Sequence, residues 1–178
     1  VEATGKPFDA INYNEKSLLS ENINPMVNIG AIAMTSLIKG ETYKDKFNRL
    51  LDLTRLLTGN PYIDIDYDVY QSEKATGNKN RALGYLLKAY GMIEDDIEDV
   101  LDCYFMACSI KMSCKDIAHM GLILANHGKN PLTNEVIFSK EYAHYVNAIL
   151  ITCGMYDGSG EFALNVGIPA KSGVGGGI

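Results

Sequence analysis

Long apolar runs are missing from this 178-residue chain. No stretch approaches the roughly 18 residues a membrane span needs, and the apolar-rich windows at residues 31–38 and 120–125 have the length of core helices; no membrane partner is expected. Cysteine is sparse. Cys103, Cys108, Cys114 and Cys153 show no C-x-x-C spacing, which excludes a disulfide scaffold and leaves buried, reduced thiols as the reading. The three histidines are too scattered to build a metal site with them, so neither a metal nor a cofactor is expected. Basic charge is in deficit, 16 Lys and Arg against 22 Asp and Glu for a net charge of −6. That balance argues against a phosphate-backbone binder, and no nucleic acid is expected as partner. The opening residues hold no initiator Met, basic segment or apolar segment of a signal peptide, and the last four are Gly-Gly-Gly-Ile. The expectation is a piece of a longer protein, cut at both ends.

What is present is an ordinary globular composition, 47% hydrophobic and 21% charged. Helical periodicity dominates to about residue 153. Phe47, Leu50, Leu51, Thr54 and Leu57 form one stripe, ended by Gly59-Asn60-Pro61; Leu83, Leu86, Leu87 and Tyr90 form a second, stopped by Gly91. Asp95 and Asp96 precede a third, of Ile97, Val100, Leu101, Tyr104, Phe105 and Cys108. Ser113 and Asp116 have capping-box spacing, and Ser139 is placed to cap a further helix. Beyond Gly154 the pattern changes: Phe162, Leu164 and Val166 alternate with Ala163 and Asn165, which predicts a strand, and residues 170–174 predict another. The expected division is a mainly helical part, 1–153, and a loop with strands of a sheet domain, 154–178.

Four polar segments exceed what packing demands. Around Asn24-Pro25-Met26-Val27-Asn28, Asn28 is either a helix N-cap or a ligand-facing amide. Glu73 and Asn80 stand seven apart, two helical turns if one helix spans them, although Gly77 argues for a solvated loop. Tyr104 lies on an apolar stripe, where a phenol is ordinarily a core residue. Tyr156 is flanked by Gly154, Gly158 and Gly160, so the backbone there can approach a ligand or simply turn at the surface.

A fifth signal is Lys171-Ser172-Gly173 on a predicted strand, a device of serine acyl-transfer enzymes. The next backbone N–H, that of Val174, is then placed to help bind an oxyanion. Such chemistry needs a Ser with a Lys three residues on. Ser36 with Lys39 and Thr76 with Lys79 have that spacing. Both are rejected as nucleophiles, Ser36 because it falls late in a helix and Thr76 because Gly77 follows it.

Taken in order, Asn24-Pro25-Met26-Val27-Asn28-Ile29-Gly30-Ala31, Gln71-Ser72-Glu73, Gly77-Asn78-Lys79-Asn80, Tyr104-Phe105 with Cys108-Ser109-Ile110, Leu124-Ala125-Asn126, Cys153-Gly154-Met155-Tyr156-Asp157 and Pro169-Ala170-Lys171-Ser172-Gly173-Val174-Gly175-Gly176-Gly177 resemble the serine-dependent glutaminase family. The resemblance implies an α+β, β-lactamase-like fold, of which this chain is mostly the helical domain plus the first strands of the antiparallel sheet. It implies hydrolysis of L-glutamine to L-glutamate and ammonia through a serine acyl-enzyme, with the Ser-x-x-Lys helix upstream of Val1 and the fragment inactive alone. By the same resemblance Asn28, Glu73, Asn80, Tyr104, Tyr156 and Val174 bind substrate. Glu73 meets the α-ammonium, Asn80 and Tyr104 the α-carboxylate side, Tyr156 assists proton transfer or positions the scissile amide, and Lys171 lends electrostatic support. A homodimer or homotetramer in the cytoplasm, or in the mitochondrion of an animal, is also implied. Two alternatives stay open, a β-lactam-interacting acyltransferase or hydrolase of the same fold and a glutamine-binding fragment without turnover.

Overall fold

A computed structural model describes residues 8–11, 13 and 23–173, with the backbone of 176–177. Eight α-helices follow one another among these residues: α1 (Asn28–Ser36), α2 (Tyr43–Thr58), α3 (Tyr67–Thr76), α4 (Asn78–Ala89), α5 (Ile97–Cys108), α6 (Cys114–Ala125), α7 (Lys140–Cys153) and α8 (Ser159–Asn165). None is long and apolar enough to cross a membrane. Two short antiparallel pairs accompany them. β1 (Asp64–Ile65) joins β2 (Ile110–Lys111) in the register Asp64 to Lys111, and β3 (Ser172–Gly173) joins β4 (Gly176–Gly177) with Ser172 opposite Gly177.

Local chemistry sets the helix ends. Thr42 and Asp45 exchange the two bonds of a capping box at the start of α2, and Ser113 and Asp116 do so at α6. Each box satisfies backbone donors that the first helical turn leaves open, a contribution of about 1 kcal/mol per cap. Asp96 accepts from the N–H groups of Glu98 and Asp99 to open α5, and Ser139 accepts from that of Tyr142 to open α7. Gly59, at φ +66°, closes α2 in the left-handed conformation.

The apolar stripes then choose partners. Ile29 and Ile32 of α1, Leu83 and Leu87 of α4, and Val100, Leu101 and Phe105 of α5 close one core, with none of them more than 1% exposed. Burying a side chain of this size stabilises by about 1.5–3 kcal/mol, so this three-helix seam is the rigid base of the molecule. A second cluster, Phe47, Leu51, Ile63 and Cys103, fixes α2 to α5. Helix α5 is thus shared by both cores.

Two readings are corrected. Phe162 to Val166 is helical, within α8 and its C-cap, instead of a strand. Leu164 and Val166 are exposed there, at 85% and 52%. The inward residues are Ser159, Phe162 and Ala163, a helical spacing that the alternation of apolar residues masked. The thiols also differ: all four are free, Cys103 and Cys153 are buried, but Cys108 and Cys114 are exposed.

Candidate active site

Glu73 and Asn80 are placed by a helix junction. Instead of a solvated loop, the chain runs from α3 into α4 through Gly77 alone, which caps the first helix and starts the second. The Gly77 N–H donates to the Glu73 carbonyl at 2.8 Å and its carbonyl accepts from Arg81 at 3.0 Å, so the ladder continues across the bend. Glu73 sits one turn before the junction and Asn80 just under one turn after it. Arg81 braces the bend from outside, donating to the Lys74 carbonyl at 2.7 Å and lying 5.4 Å over the Phe105 ring. Lys74 and the Tyr70 hydroxyl both bond Asp102, at 2.7 and 3.2 Å, which ties α3 to α5.

Gly77 is obligatory here. A Cβ at this position would stand 2.5 Å from the Phe105 ring and 2.6 Å from the Glu73 carbonyl oxygen. Gly77→Ala is therefore expected to destabilise by roughly 1–3 kcal/mol, a fall in Tm of about 3–10 °C at this chain length. Thermal unfolding followed by circular dichroism checks it; an unchanged Tm would show that the junction yields freely.

Asn28 is not an N-cap. It is the first residue of α1 after Val27, and Val27 makes no side-chain cap. Its amide nitrogen instead donates to the Asn80 amide oxygen at 2.9 Å, across 52 residues of sequence. The Asn28 backbone N–H donates to the Phe8 carbonyl at 2.9 Å, and the Phe8 ring packs on the Tyr156 ring with centroids 5.5 Å apart. Lys79 holds Asp9 at 2.5 Å. Residues 8–9 thus link the amide pair to Tyr156.

Tyr104 projects from α5 into the same region and is only 8% exposed. Burial chiefly, then the neighbouring Cys108 and the charge of Glu73, push its phenol far above the usual range, and Tyr156 adds a further small push. The hydroxyl stays protonated and able to donate. Cys108 is surface-accessible yet walled by protein, and that desolvation pushes its thiol up to about 11. The Glu73 carboxylate is half-buried and makes neither a hydrogen bond nor an ion pair with any described residue.

Tyr156 is held in an unusual backbone conformation, φ +55°, in the short 3-10 turn Tyr156–Gly158. A non-glycine residue there costs about 1–2 kcal/mol, and such strain concentrates at functional positions. The side chain is locked at its tip. Lys171 donates to the phenol oxygen at 2.7 Å, and the phenol donates to the Ser172 carbonyl at 3.0 Å. The Lys171 ammonium also lies 4.5 Å from the ring centroid and bonds the Ser172 carbonyl. Strand β3 reaches this spot because Gly154 lets it: a Cβ on Gly154 would lie 1.8 Å from the Ala170 carbonyl oxygen. The Ser172 N–H donates to the Gly154 carbonyl at 3.1 Å.

The structure therefore brings Asn28, Glu73, Asn80, Tyr104, Tyr156 and Lys171 into one neighbourhood. Val174 lies outside the described residues. The rejected nucleophiles are occupied locally: the Ser36 hydroxyl donates to the Ala33 carbonyl and that of Thr76 to the Ser72 carbonyl. A separate cavity of about 930 Å³, bounded by Thr58, Tyr62, His119 and Leu132, contains none of the site residues. Among the described residues no group of His, Cys, Asp or Glu could hold a metal ion.

Comparison with known proteins bears on this arrangement. A Glutaminase 2 of Clostridium perfringens is 51% identical over all 178 residues, which make up 58% of its length. The crystal structure of a Bacillus glutaminase in the presence of 4.3 M NaCl superposes with a TM-score of 0.93 at 38% identity, covering 98% of this chain and 58% of that one. A Bacillus subtilis glutaminase, solved as a covalent complex formed by reaction with 6-diazo-5-oxo-L-norleucine, superposes at 0.83 and 34% identity, covering 97% of this chain and 63% of that one. The chain thus spans less than two thirds of these relatives. Its architecture is β-lactamase-like α+β, mostly the helical domain with the first strands of the sheet. The family model for glutaminase matches residues 1–178 throughout, so the chain belongs to the glutaminase family.

Proposed function

We propose that the full-length protein hydrolyses L-glutamine to L-glutamate and ammonia through a serine acyl-enzyme, this chain supplying the pocket for the amino acid. The observation that carries the reading is the Glu73 carboxylate, half-buried, without a hydrogen-bond or ion-pair partner among the described residues, and near enough to Tyr104 for its charge to be felt there. An unpaired carboxylate in such a place is costly unless a cation joins it, and the α-ammonium of a free amino acid is a fitting one. Beside it, the Asn28–Asn80 amide pair and the protonated Tyr104 hydroxyl offer neutral hydrogen bonds to the α-carboxylate side. A site of this kind rejects plain amides by leaving its polar groups unpaired.

Tyr156 and Lys171 are the reacting end of the proposal. The ammonium 2.7 Å from the phenol oxygen stabilises negative charge developing there as a proton moves. Tyr156 then relays a proton between the nucleophilic serine and the departing ammonia, or holds the scissile amide for attack. The serine and its lysine, three residues on, belong in this reading to the part of the protein outside the chain. The N–H of Val174 completes the oxyanion site. That a Bacillus subtilis relative reacts covalently with 6-diazo-5-oxo-L-norleucine is consistent with a protein nucleophile in the family.

The test is direct. Purified full-length protein is expected to release ammonia from L-glutamine and to resist acylation by penicillin, whereas residues 1–178 alone bind glutamine calorimetrically and release none. Acylation by penicillin without glutamine turnover would favour a β-lactam-directed enzyme and overturn the proposal. Ammonia from the 178-residue fragment would refute the placement of the nucleophile.

A further inference from the structure

Tyr156 is strained at its backbone and bonded at its tip, and one buried hydroxyl sits beneath the strained residue. Ser159, the first residue of α8, is only 3% exposed. Its Oγ donates to the Tyr156 carbonyl at 2.8 Å and accepts from the Met155 N–H at 3.1 Å. Those backbone groups precede and follow the Tyr156 Cα, so a single oxygen ties both sides of the left-handed residue. The Ser159 N–H also donates to the Tyr156 carbonyl, and the Gly158 N–H donates to that of Met155 at 3.0 Å, which closes the turn. The hydroxyl points back to the turn that precedes its helix, and α8 begins without a side-chain cap.

We propose that Ser159 is a positioning residue for Tyr156, clamping the strained backbone so that the phenol meets the Lys171 ammonium and the scissile amide together. The inference rests on the reading of Tyr156 as the proton-transfer group. A non-glycine residue at φ +55° keeps that conformation only while its surroundings over-determine it. Released, it relaxes toward the ordinary right-handed or extended regions and swings the Cα–Cβ bond with it. The phenol oxygen stands at the far end of the ring, so a modest turn of the backbone becomes a large displacement at the tip. A misplacement of about 1 Å is enough to cost roughly 100-fold in rate. Lys171 and Ser172 hold the tip from outside the turn, whereas Ser159 holds the base from within it.

Steady-state kinetics of ammonia release by the full-length protein test this. Ser159→Ala is expected to lower kcat by about 10–100-fold, with KM for glutamine within about 2-fold of the parent. Ser159→Cys, close to isosteric but a weak donor and acceptor, keeps the buried site filled and is expected to lower kcat in the same direction. In the Tyr156→Phe background no phenol oxygen is left to place. There either substitution is expected to cost less than about 2-fold more, the non-additivity of two residues that act as a unit. A loss of kcat equal in both backgrounds would make Ser159 a structural residue and overturn the inference. So would a defect confined to Tm, or a kcat within about 2-fold of the parent in both Ser159 variants; each of these leaves the glutaminase reading intact. Absence of glutamine turnover in the unmodified protein would overturn both.

Discussion

Replacing Tyr156 by Phe in the full-length protein is expected to lower kcat for glutamine by about 10²–10⁴-fold, the usual contribution of a positioned proton-transfer group, with little change in KM. The substitution removes one oxygen and leaves the ring. Packing against Phe8 at 5.5 Å persists, and the backbone strain at φ +55° is the same for either aromatic residue. What goes is the junction between the Lys171 ammonium and the reacting centre, because the oxygen that accepts from Lys171 at 2.7 Å is gone. The lost bond to the Ser172 carbonyl costs stability only about 0.5–1.5 kcal/mol, so the variant stays folded and the kinetic loss is separable from unfolding. A kcat within 3-fold of the parent would remove Tyr156 from the chemistry.

Glu73→Gln is expected to act on the other parameter. A charge-assisted hydrogen bond contributes about 1.5–3 kcal/mol, which at 1.4 kcal/mol per tenfold raises KM by roughly 10–150-fold. Most structural carboxylates behave differently, since removing one usually strands a cation or an N–H donor. Glu73 has neither to strand among the described residues. Its neutral isostere should therefore leave Tm unchanged or slightly raised while glutamine binding collapses. A fall in Tm with KM intact would mark Glu73 as a structural residue.

Much of the helical part is legible in the sequence because its signals are local. Asp96, Ser113 and Ser139 are short acceptors placed just before apolar stripes, and each caps the helix it announces. Local patterning misleads at Phe162, Leu164 and Val166: Leu164 and Val166 are exposed, and Ser159, Phe162 and Ala163 are the inward residues of a two-turn helix instead. Gly77 illustrates a subtler limit. Its presence argues against a helix, yet it is there because the Phe105 ring occupies the space of a Cβ, a contact between residues 28 apart in sequence.

The site is legible only in part for the same reason. Motif blocks name Asn28, Glu73, Asn80, Tyr104, Tyr156 and Lys171 one at a time through the family resemblance. The Asn28–Asn80 bond and the Lys171–Tyr156 bond are tertiary facts.

The sharpest measurement compares kcat/KM for L-glutamine with that for its deaminated analogue, which keeps the γ-amide and carboxylate but lacks the α-ammonium. With Glu73 as the receptor of that charge, the full-length parent favours glutamine by at least 10-fold and Glu73→Gln abolishes most of the preference. A preference that survives intact in Glu73→Gln would place the ammonium elsewhere and contradict the pocket described here.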